Sequence, residues 1–335
     1  MSKKFKQTLK SLFIIGVGIL LSALFYKFVT ELIRVSTSSM SPTIEAKEFV
    51  WINKRNPGPR LICNSPNLYK RIPIGKKIKR DDIIVFNFPD ADTTFSDRPS
   101  ESYYLLKRSG EINSSELSDY ELKNLKALKV WQRPRMIKRV IALPSETIEI
   151  KKGITFINNQ LQNVDFNSIV PLKWSGDDIL LDKILTEHSD IQVVNEENMK
   201  ILHIRKELLP KLEKYNKQLT LNIIPTNIYD KNVFPFNPKR RWNAYNMGPI
   251  LIPKKGLTIK LTPENFDIYK RVIQIFENEN IEQKGNYLFR NNIPISKYTF
   301  KMNYYWVQGD NQPQSFDSRY WGFVPENHIV GTVNK

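Results

Sequence analysis

The chain has 335 residues, of which 51 are Lys or Arg and 34 are Asp or Glu, a net charge of +17. With 41% hydrophobic and 11% aromatic residues it can build a core, which excludes a wholly disordered chain. The lone Cys63 excludes an internal disulfide and a cysteine-based metal cluster, and His188, His203 and His328 do not stand at zinc-like spacing.

The first element is an apolar helix. "MSKKFKQTLK" carries Lys3, Lys4, Lys6 and Lys10 with no acid, and "SLFIIGVGILLSALFY" then runs uncharged. At ~1.5 Å per residue that run falls slightly short of a ~30 Å hydrocarbon core, but a snorkelling Lys27 lets Phe28 and Val29 extend it. A cleaved signal peptide is the competing reading. No small-x-small site follows in "ALFYKFVTELI", so residues 11–30 are expected to stay as a single-pass anchor. The excess of lysine before the span puts residues 1–10 in the cytoplasm and everything after about residue 30 at the outer face of the cytoplasmic membrane. There the remaining positive charge suits membrane lipid with anionic headgroups, and nucleic acid is not expected as a partner.

Beyond the anchor the pattern is mainly that of strands. "FVWINK" (49–54) and "DIIVFNF" (82–88) are rich in β-branched and aromatic residues. Ser118 with Glu121 makes a capping box ahead of a helix over "LKNLKALK". Strands resume at "MIKRVIAL" (136–143) and "ETIEIKKGITFINNQ" (146–160), the latter turning at Asn158-Asn159. Residues 161–245 are the least legible and read as an α+β insertion, with a helix over 199–217 that breaks or restarts at Pro210. "TPENFDIYKRVIQIF" predicts a helix capped by Thr262, with Phe266, Tyr269, Ile273 and Phe276 on one face. A hairpin turn at Asn291-Asn292 and a strand at "YYWVQGD" (304–310) close the chain. Residues 31–160 and 246–335 are thus two parts of one mainly antiparallel β domain.

Three stretches carry candidate chemistry. "RVSTSSMSPTIEA" crowds Ser36, Thr37, Ser38 and Ser39 just outside the membrane, where a polar linker is the plain reading. A serine nucleophile needs a base, and Lys138 in "RMIKRVIALP" is the best candidate. In a strand it shares a face with Met136 and Val140, whereas Arg139 points the other way. Burial of an amine on an apolar face lowers its pKa from ~10.4 toward neutrality, and a neutral amine can take a hydroxyl proton. A lysine that merely snorkels beside an arginine fits the same residues. In "VQGDNQPQSFDSRYWGFVPENHIVG", Asp317 and Arg319 are spaced to pair, and Ser315 offers a hydroxyl that could hold an amine. A polar turn closed by a salt bridge explains that block too, and a calcium loop explains it less well.

"SSMSPT", "DDIIVFNFP", "KRVIALPSE" and "GDNQPQSFDSRYWGFVP", in this order behind an anchor, resemble the boxes of bacterial signal peptidase I. "WNAYNMGPILIPKKG" (242–256) resembles longer members of that family of membrane-bound Ser/Lys endopeptidases. The resemblance implies an antiparallel β catalytic domain of signal-peptidase type carrying the α+β insertion. It implies Ser39 as nucleophile, Lys138 as general base, and Thr37 with the Ser39 N–H as oxyanion donors. Ser315 would orient the base, and Asp317 with Arg319 would form a supporting ion pair. The substrates would be secretory preproteins with small side chains at −1 and −3 of the cleavage site. Ile33, Val35, Met136 and Ile137 would line the pocket, and no metal or organic cofactor is implied. Two departures stand out: Gln312-Pro313 follow Gly-Asp-Asn where the family commonly has an arginine, and Thr37 replaces a commoner serine. A self-cleaving Ser/Lys repressor and a non-enzymatic, anchored lipid-binding protein are the alternatives. The first should carry a DNA-binding helix pair in place of the anchor, and the second leaves four ordered blocks as coincidence.

Overall fold

The structure is a computed structural model that describes the chain apart from residues 1–2, 63–68, 99–100, 113–116, 163–167, 197–198, 216, 222–227 and 334–335. Cys63 lies outside the described residues. A helix, Lys3–Phe28 (α1), comes first, and its stretch Lys10–Phe28 is long and apolar enough to cross a membrane. None of that stretch is covered by the rest of the protein. Lys54 ties the end of the helix to the β domain: its Nζ donates to the carbonyls of Tyr26 (2.9 Å) and Lys27 (3.3 Å), satisfying acceptors that a helix C-terminus leaves free.

A seven-stranded antiparallel sheet organises the chain beyond α1. Its strands are Thr30–Arg34 (β1), Phe49–Asn53 (β2), Ile83–Asn87 (β3), Arg135–Ala142 (β4), Tyr304–Gln308 (β5), Val324–Pro325 (β6) and Ile329–Val333 (β7). The spatial order is β1-β2-β7-β3-β4-β5-β6, so the C-terminal strand inserts between segments from the first third of the chain. The centre of the sheet is covered on both faces, which is why "IIVF" in β3 is a continuous apolar run. Ile84, Phe86 and Val140 pack with Val307 and Trp321 on one side; Ile83 and Val85 pack with Val35, Met40, Ile44 and Ile52 on the other.

The hairpin expectations at Asn158-Asn159 and Asn291-Asn292 match the backbone. All four residues have positive φ, and each pair joins two antiparallel strands. The helix begun at Thr262 runs Pro263–Arg271 and continues as a π-helical turn to Phe276, with Phe266, Tyr269, Ile273 and Phe276 all in the largest core.

Two helical expectations are corrected. The capping box at Ser118 forms, but the helix it starts spans only Asp119–Asn124, and Leu125–Ala127 leaves as a strand paired with Thr93–Phe95. The segment 199–217 is not a helix. Met199–Arg205 is a strand held between Ile169–Trp174 and Gln192–Glu196, followed by 3₁₀ turns at Lys206–Leu208 and Pro210–Tyr215. Its apolar residues satisfy both periods, and the two neighbouring strands decide between them by burying β-branched Ile201 and Ile204.

Within the range 161–245 only part forms a module with a core of its own. A four-stranded sheet within 169–221 and the helix Asp178–Glu187 enclose their own core of Leu172, Trp174, Leu181, Ile184, Leu202 and Ile204. Val233, Phe234 and Ala244 instead pack into the main β core.

Candidate active site

The hydroxyl cluster leaves the end of β1. One more ladder step holds Val35, whose N–H donates to Glu48 O (2.8 Å) and whose carbonyl accepts from Lys47 N–H (2.8 Å). The chain then turns: Ser41 N–H donates to Ser38 O (2.9 Å) and Ile44 N–H to Met40 O (3.0 Å). Met40 and Ile44, both fully buried, plug this turn into the core. Ser39 is thereby fixed inward, while Ser36 and Thr37 stay exposed.

Lys138 arrives from the middle of β4, opposite Ile84. The residue is 3% exposed, and its amine sits 2.6 Å from Ser39 Oγ. Burial pushes its pKa down to about 8; Asp317 and Asp310 pull it back up, and Arg319 adds to the lowering. Thr37 Oγ1 lies 3.3 Å from Ser39 Oγ on the exposed side. The arrangement therefore joins a buried hydroxyl, an amine able to lose its proton near neutrality and a second hydroxyl beside them. That is the equipment of acyl transfer.

The third block wraps this pair. β5 runs into Gly309, where a Cβ would overlap both the Ser315 hydroxyl and the Ser39 carbonyl oxygen, so only glycine lets the two approach. Ser315 Oγ donates to Asp317 Oδ2 (2.7 Å), as does Gly309 N–H (3.1 Å). Arg319 grips Asp317 through Nε (2.9 Å) and Nη2 (2.8 Å), and Nη2 also donates to the Gln312 carbonyl (3.0 Å). Burial by itself would raise the Asp317 carboxyl, but Arg319 and these hydrogen bonds outweigh it and hold the pKa below the ordinary value. The departure at Gln312-Pro313 forms a 3₁₀ turn, Gln312–Gln314, whose last residue accepts from Ser38 Oγ (2.9 Å).

A second buried ion pair lies beside the first, and sequence reasoning missed it. Arg139 donates to Asp310 through Nε (2.8 Å) and Nη2 (2.5 Å), and the carboxylate also accepts from Thr43 Oγ1. Strand alternation does point Arg139 away from Lys138, but no spacing pairs residues 171 positions apart.

The expected pocket residues do not form one wall. Ile33, Val35 and Ile137 join a single cluster with Met40 and Val50. Met136, one residue before Ile137, faces the other way and packs with Phe86 and Val140. Among the described residues no group of three His, Cys, Asp or Glu is placed to hold a metal ion.

Comparison with known proteins gives one answer. The family model described as "Signal peptidase, peptidase S26" matches residues 6–197 and 254–335. The chain is 37% identical over 76 residues to signal peptidase I of Buchnera aphidicola subsp. Acyrthosiphon pisum, covering 21% of this chain and 24% of that protein. It is 29% identical over 127 residues to that of Leptolyngbya laminosa, covering 33% and 59%. A stretch of 35 residues is 51% identical to that of Aquifex aeolicus, covering 10% and 14%. The matched stretches thus span less than two thirds of the length of these curated relatives.

Proposed function

The chain belongs to the signal peptidase family, peptidase S26, and from that premise we propose that it is a serine endopeptidase that removes signal peptides from secretory preproteins. The observation that carries this reading is the 2.6 Å contact between a buried lysine amine and a buried serine hydroxyl. With Lys138 neutral, the Ser39 hydroxyl donates its proton to Nζ and Oγ attacks the scissile carbonyl. The Thr37 hydroxyl and the Ser39 N–H donate to the oxygen as it gains charge. Lys138 then gives its proton to the leaving amine, and later takes one from the water that hydrolyses the acyl-enzyme. Asp317 and Arg319 hold Ser315 and Gly309, which stand against the carbonyl side of Ser39. Small side chains at −1 and −3 of the substrate would sit against Ile33, Val35 and Ile137, while Met136 lies on the other face of its strand, the one that alternation gives to Lys138.

The proposed location is the outer face of the cytoplasmic membrane, with residues 1–10 inside. The lysines at the start of α1, Lys3, Lys4, Lys6 and Lys10, support this orientation. Lys54 and Arg135 both pair with Glu31 (2.7 and 2.6 Å), which keeps the start of β4 close to the end of the anchor. Phe49 and Trp51 are exposed on the adjoining strand, as side chains that rest in membrane lipid would be. The test is cleavage of a preprotein in detergent by wild type and by Ser39→Ala. Loss of cleavage in the variant, with EDTA leaving the wild-type rate unchanged, is the expected result; a variant that still cleaves would sink the nucleophile assignment.

A further inference from the structure

The module within residues 169–221 reaches the loop that follows β5 at Asp310–Asn311. Ile169 N–H donates to the carbonyl of Asp310 (2.9 Å), and Ile169 makes a parallel bridge with Asn311. The donor is fixed from behind, because Ile169 is paired with Arg205 inside the module and Lys206 N–H donates to Ser168 O (2.7 Å). On the other side of the loop, Asn311 N–H donates to the carbonyl of Ser39 (3.1 Å) and Asn311 Nδ2 to that of Ser38 (3.2 Å).

The Asp310 carbonyl and the Asn311 N–H belong to one peptide unit. That unit is planar and stiff, so its oxygen and its N–H move together. A bond received at the oxygen also polarises the group and strengthens the bond its N–H gives. The chain Ile169 N–H to Asp310 C=O, then Asn311 N–H to Ser39 C=O, is therefore a single rigid relay from the module to the nucleophile. The Asp310 side chain cannot take over the work, since Arg139 and Thr43 already hold it.

We propose that the inserted module is a positioning element of the reaction: through Ile169 and the Asp310–Asn311 peptide plane it sets where Ser39 stands relative to Lys138. This inference rests on the Ser39–Lys138 reading and assigns a role to a segment that the reading itself leaves idle. Ile169 is a positioning residue and touches no substrate.

The test uses the full chain in detergent and three forms of residue 169. Ile169→Pro removes the N–H, Ile169→Val keeps it, and replacement of Ile169 by its α-hydroxy acid exchanges only the N–H for an ester oxygen. The valine form should match wild type. The proline and ester forms should lose about tenfold in kcat with KM little changed, as expected for a small misplacement of reacting groups. Hydrogen exchange at the Asn311 amide should quicken by about tenfold in the same two forms. If the proline form does not fold, the ester form decides. Native-like kcat together with native-like exchange at Asn311 in the ester form overturns the relay. The exchange measurement does not depend on catalysis, so a failed dyad, seen as a Ser39→Ala variant that still cleaves, is distinguished from a failed relay.

Discussion

Lys138 and Arg139 are neighbours on one strand, both buried and both basic, yet the fold treats them in opposite ways. Arg139 meets Asp310 in a two-point ion pair, with further donation to the Asp81 carbonyl (2.9 Å), so its charge is matched where it stands. Lys138 meets a hydroxyl, and among the described residues no carboxylate pairs with it; Asp317, the nearest influence, is already held by Arg319. The unmatched amine gives up its proton more readily, because burial lowers its pKa to about 8. Alternation along β4 is what allows both outcomes within two residues. One face fastens the loop at Asp310, and the other carries the amine that the proposed mechanism uses as its base.

Exchanging the two chemistries breaks this comparison most severely. Lys138→Arg should reduce cleavage to background, because arginine cannot shed its proton to accept one from Ser39. Lys138→Met should be equally inactive but more stable. The folded pKa of Lys138 is lowered, so the fold disfavours the ammonium and carries that penalty at every pH below about 8. At pH 7 the penalty is on the order of 3 kcal/mol, and methionine removes it while filling the same space. Denaturant unfolding of Lys138→Met measures this; a loss of stability would mean that the amine is a structural cation and not a strained base.

The matched side is tested by Asp310→Asn. It leaves the Arg139 guanidinium buried without a counter-charge, which typically costs about 3–5 kcal/mol. Replacing both residues by Met and Leu should recover most of that loss, since a buried pair is often no more stable than apolar side chains of similar size. Unfolding midpoints of Arg139→Met, Asp310→Leu and the double variant that combines them supply the measurement. Additive losses in the double variant would show that the two residues act separately.

This contrast also marks how far the sequence was legible. The anchor, four of the seven strands of the main sheet (β2, β3, β4 and β5) and the two Asn-Asn hairpins follow from local patterns, because period-two alternation and turn chemistry are set by adjacent residues; β1, β6 and β7 were not expected. Lys138 was legible as a base candidate for the same reason, as its face can be counted from Met136 and Val140. The Arg139–Asp310 pair, the Ile169 relay and the strand at Met199–Arg205 were not, since each depends on a partner far along the chain. Counting faces also separates Met136 from Ile137, and grouping both in one pocket wall overlooked that rule.

Thr37→Val tests the outer hydroxyl. It keeps the side-chain shape and removes the donor, so it should lower kcat by roughly 100- to 1000-fold and leave KM nearly unchanged. Thr37→Ser should retain most activity. A valine form with wild-type kcat would reduce Thr37 to a β-branched residue next to the site.

The smallest effect reads the unmatched amine directly. Only neutral Lys138 can accept the Ser39 proton, so kcat/KM should fall about tenfold per pH unit below a midpoint near 8 and level off above it. The Asp317 charge raises the pKa of Lys138, and Arg319 lowers it. Neutralising the aspartate in Asp317→Asn takes away the upward pull and leaves the arginine, so the midpoint should move to lower pH, by up to about one unit. The variant will also be slower, because Ser315 and Gly309 lose the carboxylate that holds them, but a slower rate does not by itself move a midpoint. His328 cannot imitate the limb, since burial and the nearby Arg133 push its pKa well below the ordinary histidine value. Profiles of wild type and Asp317→Asn over pH 6–10 decide the matter. A midpoint that stays fixed, or moves up, would mean that the group titrating in the rate is not the amine beside Asp317.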